Sequence, residues 1–432
     1  MRRLPAAATC AVAIVLFGAC VPGRQPGPTG PTLRIGVDLP LSGEESRAAT
    51  PALNGIRYFV QTHPKLDGFT VQLDTADDRS DPARAASNLN RFVADAGVVA
   101  MIGPLDGGVA RKLIPIANSA GLAMVSPATS NPCLTRDVYL PALLNPARTP
   151  ISCKQAGLPA ASELRPSQTN NFFRLTATDD LQGAAAADFA FNTLHILRAA
   201  VISDHEAYGQ ILASAFSARL ARLGGTAVGR LDLYPGTTEG VDAYLTRSKA
   251  DGAQAIYYGG TSRAGCAIRA QMSSVFAPAE TTPFLGGDGI AEDPQCISAA
   301  GANAAGIFAT APIADADSAP TAQAALAGFK SSFGGSASYG PYTLLAYDAT
   351  AVVYSALDRA ITAAGGAAPS RSAVIEELAK TSGLPGATGT LGFDPQGDTT
   401  NRVISIFESP GPDPRAAWKL AGTVDYSSRL PY

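Results

Sequence analysis

Short β-branched runs recur along the chain, LRIGVDL, TVQLDTA, VVAMIG and LAMVS, separated by stretches in which apolar residues fall three and four apart. Leu53, Ile56, Phe59 and Val60 form one such stripe, and Leu89, Phe92 and Val93 another, which is the spacing that puts side chains on one face of a helix. The rhythm stops between Cys133 and Asn171. It resumes with AAVISD, a helical stretch over 209–223, VGRLDLY, a second over 237–249, AIYYGG, a third over 265–276, and then PFLGGDG and GIFATAP. Strands that are apolar on both faces belong to parallel sheets covered by helices. The pattern predicts an α/β fold of two doubly wound parallel-sheet units. The interrupting segment, 133–171, is rich in Pro, Ser and Asn and carries two cysteines, so it reads as a surface insertion stapled by its own disulfide.

Length agrees with two units, because 432 residues exceed the about 250 to 300 over which one core grows. The formal net charge of −3, with Lys and Arg scattered singly, leaves no basic field for nucleic acid and no polybasic patch for a membrane surface. The opening MRRLPAAATCAVAIVLFGAC places two arginines before the apolar run Ala11 to Phe17, which reads as a secretory signal. Gly18 and Ala19 before Cys20 are similar to a bacterial lipobox, with cleavage after Ala19 and lipid on the Cys20 sulfur; a plain signal peptide cut nearby is the alternative. VPGRQPGPTGP then has the composition of a tether, over 20–31.

Export leaves Cys133, Cys153, Cys266 and Cys296 in an oxidising compartment. Three pairings are open, and the two local pairs, Cys133–Cys153 and Cys266–Cys296, are expected. A zinc site is the rival, weakened because none of the four lies in a C-x-x-C pair.

In open parallel sheets ligands gather beyond the carboxyl ends of the strands. Those ends carry Asp106-Gly107-Gly108, Ala128-Thr129-Ser130, Tyr208, Thr261 and Asp288. Gly107 and Ser130 suit a carboxylate at helix-start N–H groups, Asp288 suits a cation, and Tyr208 offers an aromatic face with a hydroxyl tip. Taken singly, each also fits a bland role: SPATSNP and GGDG as turns, Asp106 as a helix cap, Tyr208 as a packed aromatic. Placed together at strand ends on both units, they describe a zwitterion site.

In order along the chain, DDRSDPARAA, VVAMIGPL, SPATSNP, FFRLTATDDLQG, AYGQ, YYGG, LGGDGI, GPYTLLAYDA and GATGTLGFDPQGD resemble the branched-chain amino-acid-binding proteins of ABC transporters, from about Leu33 to about Phe407. The resemblance implies a type I periplasmic-binding fold: two lobes, 32–178 with 313–400 and 179–312 with 401–432, joined by three crossovers around a ligand cleft. It implies that Gly107 and Ser130 take the ligand carboxylate, that the Ala128 carbonyl and Asp288 take the ammonium, and that Tyr208 and Tyr342 line the pocket. Gly107 lacks the serine hydroxyl familiar in leucine binders, and Ala48 and Thr261 stand where those often place a tryptophan and a tyrosine.

The expected protein is therefore an extracytoplasmic lipoprotein, a monomer that hands an amino acid or analogue to ABC permease subunits and uses no cofactor or metal. A sensory protein of the same fold, or a binder of amides or aromatic acids, is the alternative. Catalysis is disfavoured by the absence of G-x-S-x-G, Walker and H-E-x-x-H motifs, with only His63, His195 and His205 in the chain. After the first strand, LPLSGEES stands where a dinucleotide fold would have G-x-G-x-x-G.

Overall fold

The computed structural model describes residues 31–431 except 44, 143, 145–148, 235–236, 278–280, 314–319 and 335–338. The signal segment and Cys20 lie outside the described residues, as does the tether apart from Pro31. A six-stranded sheet runs in the order Lys65–Leu66, Phe69–Asp77, Thr32–Leu39, Val98–Ile102, Ala123–Ser126 and Phe172–Arg174. It is parallel apart from the short edge strand Lys65–Leu66. A seven-stranded sheet runs Thr226–Asp232, Arg198–Ser203, Ala255–Gly259, Phe284–Gly286, Ile307–Ala311, Val403–Glu408 and Lys419–Asp425. Its first five strands are parallel and its last two are added antiparallel.

Every residue of Val98–Ile102 and of Ala255–Gly259 is buried, as strands sandwiched between helices require. The helix Ser46–Thr62 packs Leu53, Ile56 and Phe59 against Ile35, Val37 and Val71, in one core with Val352, Val353 and Leu357 of the helix Thr343–Ala363. The second sheet carries cores on both faces, around Ile202, Ile256 and Phe284 on one and around Phe216, Tyr257 and Leu285 on the other. The chain passes from the first unit to the second after Phe172–Arg174, returns after Ile307–Ala311 and passes back into Val403–Glu408. The helices expected over 209–223, 237–249 and 265–276 are Ala207–Leu223, Val241–Ala250 and Ser262–Met272.

Both expected cysteine pairs are disulfides, Cys133–Cys153 and Cys266–Cys296. The inserted segment is not a purely superficial decoration, which corrects the sequence reading. It folds into short 3-10 turns, Pro132–Leu134 and Ala161–Leu164, and an antiparallel pair, Val138–Leu140 with Ile151–Ser152. Cys133, Tyr139, Leu140 and Cys153 are buried. Among its described residues Leu144 is buried as well, while Ile151 and Leu158 are half-buried against the same cluster.

Candidate functional site

The strand Val98–Ile102 leads into the helix Gly107–Ser119, which Asp106 caps by accepting from the Val109 N–H at 2.8 Å. That bond satisfies one first-turn donor and leaves the Gly107 and Gly108 N–H groups at the helix start. A Cβ at Gly107 would meet only Asn131 Cβ, at 3.9 Å. Packing thus leaves room for the missing serine, and the bare glycine widens the space in front of the helix.

The next strand, Ala123–Ser126, ends in a loop fixed from two sides. The Ser126 hydroxyl donates to the Pro104 carbonyl at 2.7 Å and accepts from the Ala128 and Thr129 N–H groups at 3.3 and 3.0 Å. Arg174, fully buried, donates to the Asn131 carbonyl at 2.6 Å and the Thr129 carbonyl at 3.3 Å, bonds Thr135, and pairs with Asp398 at 2.7 Å. The Ser130 carbonyl accepts from the Asp179 N–H at 3.0 Å. None of these bonds uses the Ser130 N–H. Ala128 and Ser130 are both buried.

Asp288 follows the strand Phe284–Gly286 of the other unit. Tyr208 donates to its Oδ1 at 2.6 Å and Tyr342 to its Oδ2 at 2.9 Å, while the Tyr208 oxygen accepts from the Gly289 N–H at 2.9 Å. Tyr208 belongs to the helix Ala207–Leu223 of the second unit, and Tyr342 precedes the helix Thr343–Ala363 packed in the first. The acid therefore ties the two units together. Burial pushes the Asp288 carboxyl up, against the lowering effect of the two tyrosine hydroxyls. Gly287 is required here, since a Cβ on it would lie 2.7 Å from the Tyr208 oxygen and 2.9 Å from Gln182 Oε1.

A second acid, given no role by the sequence reading, closes the group. Asp179 begins the helix Asp179–Asn192, is fully buried, and is pushed up to about 8 chiefly by burial, with Asp288 and Asp180 adding to the rise. The nearby Ser130 side chain favours its carboxylate, yet neither oxygen is in hydrogen-bond geometry with a partner. The amide of Gln182 and the Tyr257 hydroxyl, also buried, are likewise unpaired. Two acids ahead of an alanine-rich helix, DDLQGAAAADFAFN, were the available signal.

Of the remaining candidates, Ala48 is half-buried in the first turn of Ser46–Thr62, and Thr261 is exposed at the start of Ser262–Met272, its N–H donating to Asp204 at 3.3 Å. Neither fills the space an aromatic wall would occupy. Among the described residues no group of three or more His, Cys, Asp or Glu could hold a metal ion.

The Leu/Ile/Val-binding protein BraC3 of Rhizobium johnstonii is 28% identical over 381 residues, covering 87% of this chain and 91% of its own length. The leucine-binding protein LivK of Thermotoga maritima superposes with a TM-score of 0.71 at 24% identity, over 91% of this chain and 99% of its own. A solute-binding protein of an ABC transporter from Rhodopseudomonas palustris, in complex with p-hydroxybenzoic acid, gives 0.71 at 17% identity, over 91% and 97%. Those two likenesses bear on the fold. With the sequence model for periplasmic binding proteins matching residues 32–411, the chain belongs to that family, as a type I member, and so among extracytoplasmic solute-binding proteins rather than enzymes.

Proposed function

We propose that this chain is the lipid-anchored solute receptor of an ABC importer, closing its lobes, 32–178 with 313–400 and 179–312 with 401–432, on an amino acid or close analogue. In this reading the ligand carboxylate takes the N–H groups at Gly107 and Ser130 and the Ser130 hydroxyl. Its ammonium faces the Ala128 carbonyl, Asp288 and Asp179, with Tyr208 and Tyr342 as walls. The observation that carries the reading is the pair of buried acids, Asp179 and Asp288, with Ser130 of the strand-end loop beside Asp179. An aromatic acid such as the one bound by the Rhodopseudomonas protein lacks the positive charge that two buried acids call for, so it ranks second. The small residues at 48, 107 and 261 favour a side chain larger or more polar than that of leucine, because an unfilled gap forfeits dispersion contacts.

Mass spectrometry of the solute that copurifies, followed by a thermal-shift and calorimetry panel of amino acids, amides and hydroxybenzoates, tests this. An amino acid other than leucine is the expected best binder. Tight binding of hydroxybenzoate with no response to any amino acid overturns the zwitterion, and tight leucine binding overturns the enlarged pocket. Adjacent permease and ATPase genes favour import, an adjacent sensor kinase signalling. A Cys20→Ala chain recovered in the soluble fraction, with the wild type in the membrane fraction, supports the anchor.

A further inference from the structure

We propose that the inserted segment is a strap joining the two units outside the crossovers, and that it holds them in the closed arrangement. The helix Ala207–Leu223 supplies the first observation. Leu212, Phe216 and Leu220 turn into the core of the second unit. Ile211, Ala215 and Ala218, spaced four and three apart, form a separate stripe. An outer helix of a doubly wound unit ordinarily turns a polar face outward. Here the second stripe is apolar and buried, and what covers it is the inserted segment, through Tyr139, Leu140 and the Cys133–Cys153 disulfide.

The other end of the strap is rooted in the first unit. Leu134 and Leu164 pack with Leu113, Ile114 and Ala117 of the helix Gly107–Ser119. Arg165 donates to the Leu134 and Ala161 carbonyls at 3.0 Å each. Between the two ends stands Arg136. It donates to Thr178 at 2.9 Å and Asp180 at 3.0 Å, where the chain enters the second unit, and lies 3.4 Å from Asp398, where the chain is about to re-enter it. The disulfide links the base of the strand pair, so the apolar cap moves as one piece.

Swinging the units apart must therefore either peel Tyr139 and Leu140 from Ile211 and Ala215 or tear Leu134 and Leu164 out of the first core. Both expose apolar surface, which water opposes, and the first is the smaller break. The strap accordingly biases the ligand-free chain toward closure, and ligand exchange requires its release. This inference rests on two units that open and close, and not on the identity of the ligand.

The test compares the ligand-free wild type with Ile211→Glu and Leu140→Glu, one change on each side of the contact, by small-angle scattering. Each glutamate would be buried when the strap is seated and hydrated when it is released, so each should shift the closed-to-open ratio at least tenfold toward open. A compact wild type and two expanded, folded variants are expected. A wild type as expanded as the variants, or two folded variants as compact as the wild type, overturns the strap. Should the glutamates prevent folding, Tyr139→Ala and Ile211→Ala are read by hydrogen exchange. Exchange at least tenfold faster in both Val138–Leu140 and Ala207–Leu223 from either change supports the coupling. Acceleration confined to the segment that carries the change overturns it.

Discussion

Ligand binding should release a proton near neutral pH, with Asp179 as the source. In the free protein its carboxyl is raised from 3.8 to about 8, burial being the main cause. At pH 7 such a group is protonated to a fraction of about 0.9. An ammonium placed beside it favours the carboxylate, so forming the complex strips that proton. The sign follows: below about pH 8 binding bears the cost of ionisation, about 1.4 kcal/mol per pH unit, and affinity should rise about tenfold from pH 6 to pH 7 and level off above pH 8. Calorimetry of the best binder at pH 6, 7 and 8, in buffers of low and high ionisation enthalpy, reads both the slope and the proton count. Asp179→Asn keeps the size and removes the titration, so any slope that remains belongs to Asp288, which burial also pushes up. The same shift acts on stability. Between the unfolded value near 3.8 and about 8 the unfolded chain ionises and the folded one does not, so the wild type loses stability across that window and Asp179→Asn should lose less. Affinity independent of pH from 6 to 8, with no net proton transfer, would refute the reasoning.

Two further outcomes are expected. The Cys133–Cys153 bridge spans 20 residues, for which the chain-entropy relation gives about 3 kcal/mol; the double serine variant should lose stability of that order in denaturant unfolding, and an unchanged midpoint would show that the bridge adds nothing. Tyr342→Phe removes one of two hydroxyl donors to Asp288. A hydrogen bond to a charged group contributes about 1.5 to 3 kcal/mol, so ligand affinity should fall roughly tenfold to a hundredfold, and wild-type affinity would mean that this contact does not help organise the site.

The alternation of strand and helix was legible because parallel strands buried on both faces are unbroken apolar words: VVAMI and AIYYG need no context. The same logic explains what was missed. The strand Lys419–Asp425 lies at the sheet edge and is partly exposed along its length, and its neighbour Val403–Glu408 pairs antiparallel with Ile307–Ala311, far away in sequence. No local pattern announces such a partner. The helix Asp179–Asn192 is buried from Asp179 to Ala190, so it has no polar face, and its run of alanines carries no stripe for periodicity to find.

Charge explains how far the site itself could be read. Strand-end residues could be gathered by the topology of the sheets, but whether an acid is spent on the fold or left for a ligand depends on partners distant in sequence. Arg174 and Arg136 look available in the chain, yet both are engaged by Asp398, and Arg136 also by Asp180. These two arginines and two aspartates offset one another beside the crossovers. Asp288 is met by tyrosine hydroxyls, which carry no charge, and among the described residues no cation forms an ion pair with Asp179. Among the described residues the two buried carboxyls thus have no ion-pair partner, the field of Arg174 only partly offsetting the burial of Asp179, and a group so placed either keeps its proton or waits for a cation. The upward shift of the Asp179 carboxyl, to about 8 through burial, fits the first condition in the free protein, and an ammonium-bearing ligand would supply the second.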